Sequence, residues 1–301
     1  MSFRWVAIVN PAAGGGRCGA RAATSLAALR ARGLPLEEVR TTGPGDAVTR
    51  VRELARQGVA RFVAVGGDGT AFEVVNGLFG PGAPTWTSRP VLGILPLGTG
   101  NSFLRDFSIR DEASALDALA RRATRACDVL RIAHDGGETY SLNLVGVGFT
   151  AVAGALTNRR FKRLGAAGYV LAVVQTTLAL EAPVFPLRID GGARDERPAI
   201  LLSFCNSRCT AGAMQMAPHA DPSDGQLDVI RVGPRSRLAF LRAFPSIFRG
   251  THVTLPGIEE SRARRVDFDL DAALDCMIDG EVRRLRPTSI EVVPSALEIV
   301  S

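Results

Sequence analysis

Three apolar, strand-like runs end in glycine-rich loops: "RWVAIVN" before "PAAGGGR", "RFVAVGG" before "DGT", and "PVLGIL" before "PLGTGN". The first two loops lead straight into helical patterns. Few folds are open to a chain punctuated in this way. A strand feeding a helix through a tight loop makes a βα unit, and successive βα units assemble into a parallel sheet.

The intervening segments agree. An alanine-rich helix is predicted over 18–31 and a second strand over 34–42, "LPLEEVRTT". "GDAVTRVRELARQG" reads as a helix with Asp46 as N-cap and Gly58 past its end. Thr70 and Glu73 of "TAFE" fit a capping box, and a further helix is predicted over 111–122. After Asp128 the texture changes to strand-like runs broken by Asp-Gly and Gly-Gly turns, with helices near 151–181 and 236–249. The expected fold is an N-terminal α/β domain with a doubly wound parallel sheet, followed by a mainly antiparallel, β-sandwich-like C-terminal domain. With 301 residues, 46% of them apolar, the chain is long enough for two such cores.

In a parallel sheet the loops gather at the carboxyl edge, where ligands bind. Glycine reaches positive φ and brings backbone N–H groups close to phosphate oxygens, and a following helix adds its positive end. One such loop is often no more than a tight turn. Three of them, with Asp68 inside the middle one, point to a nucleotide site. A carboxylate beside phosphates is repelled unless a divalent cation such as Mg²⁺ intervenes, which favours phosphoryl transfer over simple binding.

Other nucleotide folds are excluded. Lys162 is the only lysine, so no GxxxxGK[ST] exists; no GxGxxG with a later acid and no protein-kinase motif set is present. The five cysteines form no CxxC pair, and His134, His219 and His252 are scattered, so they read as structural and a zinc site is not expected. The net charge of +6 suits nucleotides, nucleic acid or anionic lipid without choosing among them. The opening "MSFRWVAIVN" is too short an apolar stretch for a signal peptide, and 166–180 is too short to span a bilayer. The chain is therefore expected to be soluble.

"VNPAAGGGR", "GGDGTAFEVVNG", "LPLGTGNSF", "DGQLDV", "IDGE" and "VVPSALEI" occur in an order that resembles the diacylglycerol-kinase catalytic family, which includes soluble bacterial lipid kinases and sphingosine kinases. The resemblance runs nearly end to end. It implies an ATP- and Mg²⁺-dependent lipid kinase, cytoplasmic and peripheral at the inner membrane surface, with no nucleic-acid partner. It implies a nucleotide-binding domain of residues 1–129, rejoined by a returning strand at 288–301, and a lipid-substrate domain of residues 130–287. Carried over by position, Asn10, Pro11, Ala12, Ala13 and Gly14, with Gly66, Gly67, Asp68, Gly69, Thr70 and Glu73, hold ATP. Thr41, Thr99 and Asn101 join them. Asp68 organises Mg²⁺, Asp128 belongs to the same acidic network, and Glu281 takes the proton from the lipid hydroxyl. Asp221, Asp224 and Gln226 fall where some members hold a structural Mg²⁺.

One position departs from the pattern: Ser102 stands where the family loop carries an aspartate, and Asp106, four residues on, is a candidate substitute. This keeps open a catalytically weak nucleotide-binding regulator, beside an NAD kinase-like enzyme suggested by GGDGT alone. The bland readings also stand. Asp279-Gly280 and Asp224-Gly225 are ordinary turn signals, and "NRRFKR" (158–163) is either a solvated basic face or a contact for anionic headgroups.

Overall fold

A computed structural model of the chain describes residues 2–161 and 164–301, which form two compact units, 1–129 with 294–301 and 130–293. The first unit alternates strand and helix. Its elements are β1 (Ser2–Val9), α1 (Arg17–Ala31), β2 (Leu36–Arg40), α2 (Asp46–Arg56), β3 (Val59–Gly66), α3 (Asp68–Phe79), β4 (Val91–Pro96) and α4 (Glu112–Arg121). The strands lie in the order β2-β1-β3-β4, all parallel, and Glu298 and Ile299 of the last strand add alongside β4 in the same direction. β3 is buried along nearly its whole length, as a strand covered on both faces must be. The cover is made by α1 with α4 and by α2 with α3, which pack as two pairs.

The register sets where the loops emerge. Arg40, Val9, Val65 and Leu95 lie in one row across the four strands, so the segments that follow them leave the sheet from one edge. The chain reverses its direction of travel between β1 and β3, and the loops after these two strands flank that switch point.

The second unit is antiparallel. It contains the second part of β5 (Thr124–His134), from Leu130 on, then β6 (Gly137–Ser141), β7 (Leu144–Gly148), α5 (Phe149–Leu156), α6 (Gly165–Thr177), β8 (Leu187–Ile189), β9 (Leu201–Cys205) and the short hairpin β10 (Cys209–Thr210) and β11 (Met214–Gln215). Then come β12 (Leu227–Val232), α7 (Arg237–Ala243), β13 (Ile258–Ala263), β14 (Arg265–Phe268), β15 (Leu274–Ile278), β16 (Glu281–Leu285) and β17 (Pro287–Val300), whose second half, from Pro294, belongs to the first unit. Six strands form a sheet in the order β13-β12-β9-β7-β15-β16. Its rear packs on β14, where Phe204 meets Phe268 edge to face with ring centroids 5.4 Å apart. The fold class is the expected one. β13, "IEESRA", shows no apolar run because it is an edge strand, and charges there discourage pairing with another chain.

Two local expectations are corrected. Gly45, with φ 81°, caps α2; Asp46 is its first helical residue and instead accepts from the Thr42 N–H at 2.9 Å. α3 begins at Asp68 with Gly67 as N-cap, two residues before the predicted capping box, because Glu73 turns away to accept the Gly45 N–H at 3.0 Å. Gly58, with φ 87°, follows α2 as expected.

α2 and α3 approach closely at Gly77, where an added Cβ would sit 2.6 Å from Val51 Cβ and 2.9 Å from the Val48 carbonyl oxygen. Alanine there gains about 1 kcal/mol of helix propensity but overpacks the contact at a cost of about 1–3 kcal/mol. Gly77→Ala is expected to lower unfolding stability by about 1 kcal/mol in urea. Gly43→Ala, with nothing within 4 Å of the added atom, should stay within about 0.5 kcal/mol of the parent.

Candidate active site

The loop after β1 continues the sheet for one more residue, with the Asn10 N–H donating to Val65 O at 3.0 Å. The Asn10 side chain then works in two directions. Its Oδ1 accepts the Ala12 N–H at 3.1 Å, and its Nδ2 donates to Thr70 Oγ1 at 3.3 Å, tying this loop to α3. The carbonyls of Pro11, Ala12 and Ala13 accept N–H groups from Gly16, Cys18 and Gly19, which closes the turn. Gly14, Gly15 and Gly16 then run at φ 63°, 70° and 91°, a conformation that side chains resist, and Gly16 caps α1 without any side-chain hydrogen bond. The first turn of a 15-residue helix thus opens behind a glycine turn, an arrangement suited to an anion.

The loops after β3 and β4 meet backbone to backbone. The Gly98 N–H donates to Gly66 O at 2.8 Å, and a Cβ on Gly98 would lie 2.3 Å from Gly67 Cα. Asp68, half-buried at the start of α3, accepts the Ser102 N–H with both carboxylate oxygens, each at 3.1 Å. Gly100 must be bare as well, since its Cβ would stand 2.7 Å from Asp68 Oδ2. Asn101 sits at φ 47°, and its buried Oδ1 has no hydrogen-bond partner among the described residues. That oxygen is 3.7 Å from where a Gly67 Cβ would be. A carboxylate, an unspent amide oxygen and a glycine-lined cradle are hard-oxygen chemistry that fits Mg²⁺ bound with phosphate.

The structure therefore joins Asn10 with Thr70, Gly66 and Gly67 with Gly98, Asp68 with the Ser102 backbone, and Glu73 with the 41–45 loop. Gly69 follows within the first turn of α3. Thr41 is buried and its N–H donates to Val9 O at 2.9 Å, while Thr99 is exposed. Ser102 is buried, and the site uses its backbone. Asp106 does not share a helix face with residue 102 in the way supposed, because 103–107 is a 3-10 turn with three residues per turn; its side chain lines a separate hollow with Arg121 and Arg125. Asp128 is fully buried on β5 and accepts the Ser295 N–H at 2.6 Å, which anchors the returning strand at a residue with φ 49°.

In the second unit Glu281 opens β16, half-buried, immediately after a two-residue turn in which Asp279 and Gly280 have φ 48° and 89°. Sequence reasoning passed over the role of Asp279. Its buried carboxylate accepts from Ser141 Oγ at 2.5 Å and from the N–H groups of Leu142, Asn143 and Leu144 at 2.8, 3.0 and 3.1 Å. Burial pushes its pKa up and these donors pull it down. Asn158 Nδ2 donates to Gly280 O at 2.9 Å, so the turn bearing Glu281 is held from two sides.

Asp221 and Asp224 shape their own turns, accepting the N–H groups of Ser223 and Gln226 at 3.0 Å each. Arg262 lies 3.5 Å from Asp224 and 3.7 Å from Asp228. Among the described residues no group of three or more acidic, histidine or cysteine side chains is arranged to hold a metal ion. In the basic stretch, Arg159 and Arg160 are exposed, while Lys162 and Arg163 lie outside the described residues.

The chain is similar to known proteins over nearly its whole length. Residues 4–132 match the diacylglycerol kinase catalytic domain, and residues 143–301 match the YegS C-terminal NAD kinase beta sandwich-like domain. A diacylglycerol kinase of Mycobacterium tuberculosis is 30% identical over 297 residues, covering 98% of this chain and 94% of its own. A Cronobacter sakazakii protein named "Probable lipid kinase YegS-like" is 33% identical over 282 residues, covering 91% and 89%. A Bacillus anthracis protein crystallised as a candidate diacylglycerol kinase superposes with a TM-score of 0.80 at 25% identity, covering 99% and 94%.

Asp228, beside the 221–226 turns, carries a testable consequence. Burial raises its pKa to about 6, so the folded chain favours the protonated acid. Stability is then lost as pH rises from the ordinary carboxylate range through about 6. Asp228→Asn is expected to exceed the parent by roughly 2 kcal/mol at about pH 8. The gain should vanish below about pH 4 in urea unfolding across a pH series.

Proposed function

The chain belongs to the diacylglycerol kinase and YegS-like family of lipid kinases, and from that premise we propose that it transfers the γ-phosphoryl group of ATP, with Mg²⁺, to a hydroxyl of a membrane-derived lipid, diacylglycerol by default. The observation that carries this reading is the meeting of the glycine loops at the switch point, with Asp68 and the unpartnered Asn101 oxygen beside the uncapped start of α1. The backbone N–H groups of Gly14, Gly15 and Gly69 donate to phosphate oxygens, and the starts of α1 and α3 add their positive ends. Asp68 and Asn101 hold Mg²⁺, which when bound neutralises charge on the transferring phosphoryl group. Asn10, Thr70 and Glu73 keep the loops in register, and Thr41 and Thr99 line the nucleotide's approach. Asp128 acts by anchoring the returning strand. Glu281 accepts the hydroxyl proton late in transfer, held by a turn that Asp279 and Asn158 immobilise.

The lipid has to be taken from a membrane, and α6 is suited to that. Leu164, Ala167, Leu171, Val174 and Leu178 are all exposed at spacings of three and four, so they form one apolar stripe. Leu178 is 70% exposed, and Arg159 and Arg160 stand just before the helix. An apolar stripe beside cations fits the surface of an anionic bilayer. No helix among the described residues is long and apolar enough to cross one.

A second reading, ATP binding without transfer, is favoured by Ser102, which brings no charge to the place where the family loop carries a carboxylate. One experiment separates the two: incubation with labelled ATP, Mg²⁺ and a total lipid extract, presented as vesicles or in detergent. Labelled lipid is expected; retained ATP with no labelled lipid supports the second reading. Asp68→Asn keeps an oxygen for the Ser102 N–H but removes the charge, and should lower transfer about a thousandfold or more. Unchanged transfer would reduce Asp68 to a loop tether. Leu171→Asp with Leu178→Asp should lower labelling from vesicles about tenfold and leave detergent-dispersed lipid unaffected.

A further inference from the structure

The hollow beside Asp106 belongs wholly to the first unit and encloses about 390 Å³. A single water needs about 10–15 Å³ on this measure, so there is room for a molecule of sugar size. Part of its lining is the buried stretch that holds Asp106, Phe107 and Ile109. Another part is α4, where Ser114, Asp117 and Arg121 follow one another at spacings of three and four and so share a face. Arg125 of β5 completes it, with Ser301 beside them.

This lining has two chemistries. Arg125 Cζ lies 5.6 Å from the centroid of the Phe107 ring, a cation–π contact that holds its guanidinium in place. Arg121 extends from the last turn of α4 and forms no ion pair among the described residues. Guanidinium groups only donate, and their planar fork matches phosphate oxygens. Asp106 and Asp117 are the opposite, since ionised carboxylates only accept. Arg32 donates to Asp117 Oδ1 at 2.6 Å, which leaves Oδ2 for another donor. Ser108 adds a hydroxyl on a backbone at φ 61°, where few side chains are found. Ser114 adds none, because its hydroxyl is spent on Asp111 in the cap of α4.

Simple ligands each fail on one half of this lining. Inorganic phosphate suits the arginines but meets the carboxylates, a neutral polyol brings no anion to the arginines, and an amine is repelled by them. A molecule with a phosphate at one end and hydroxyls at the other satisfies both. We propose that the hollow is an effector subsite for a small phosphorylated polyol, with Arg121 and Arg125 on the phosphate and Asp106, Asp117 and Ser108 on the hydroxyls. Its effect travels through the 3-10 turn Phe103–Phe107. Ser102, whose N–H Asp68 holds, is the N-cap of that turn, and the rings of Phe103 and Phe107 meet with centroids 5.1 Å apart. A ligand that pins residues 106–108 therefore stiffens the loop before them.

The test is calorimetric titration of the full chain, without nucleotide, using glycerol 3-phosphate and glucose 6-phosphate beside glycerol, glucose and inorganic phosphate. At least one phosphorylated polyol is expected to bind about tenfold tighter than either of its halves. Arg121→Gln and Asp117→Asn, both at exposed positions, should each weaken that binding about tenfold by removing a charged hydrogen bond. Amide hydrogen–deuterium exchange should slow across residues 98–109 when the ligand is added to the parent, and not in Arg121→Gln at the same concentration. Binding of none, phosphate alone binding as tightly as the polyol phosphates, or exchange unchanged at 98–102 would overturn the effector subsite. So would an affinity that survives both substitutions, the result expected if the ligand sat among the glycine loops instead. Neither ATP nor lipid enters the test, so a chain that binds a polyol phosphate here but labels no lipid would sink the kinase reading and leave this one standing.

Discussion

The candidate site depends on one close contact, the approach of the Gly66–Gly67 backbone to Gly98. No other residue type fits there, because a Cβ on Gly98 would lie 2.3 Å from Gly67 Cα. With the two loops touching, Asp68 can take the Ser102 N–H with both oxygens, and Gly100 stays bare to admit the carboxylate. Four glycines thereby place one negative charge at the start of α3. Its surroundings divide cleanly. The α1 side offers backbone donors at Gly14 and Gly15, while the α3 side offers oxygens at Asp68 and Asn101. A triphosphate with its divalent cation presents the complementary division, anionic toward the amides and cationic toward the oxygens.

The second unit differs in kind, and in the proposed reading it handles the apolar substrate. Its sheet has charged edges at β13 and β16, which keep it from pairing with other chains. Its helices do the reverse and leave an apolar stripe on α6 uncovered. Between α5, α6 and α7 lies an apolar hollow. Asp279 underlies this unit much as Asp68 underlies the first: a carboxylate gathering backbone N–H groups and so fixing a turn whose next residue, Glu281, is the proposed proton acceptor.

Much of this was legible in the sequence because it rests on local patterns. Apolar runs ending in glycine loops specify βα units, and the shared carboxyl edge follows from parallel pairing. The positions of Asn10, Gly67 and Asp68 could thus be anticipated. What stayed hidden depends on contacts between distant residues. Ser102 looked like a loss of charge, and nothing local reveals that its N–H is what Asp68 binds 34 residues away. Asp106 lies on a 3-10 turn and not on the assumed α-helix, and its side chain lines another hollow. Asp279 read as a turn residue, and its φ of 48° shows that it is one, but the four donors come from 135 residues and more upstream.

The most direct measurement is amide hydrogen–deuterium exchange with and without ATP and Mg²⁺. A triphosphate gripped by glycine amides should slow exchange in residues 10–17, 66–70 and 97–102 together, and Mg²⁺ should deepen the effect. ATP-induced protection confined to other segments, or none at all under saturating nucleotide, would contradict the grip on which the kinase reading stands.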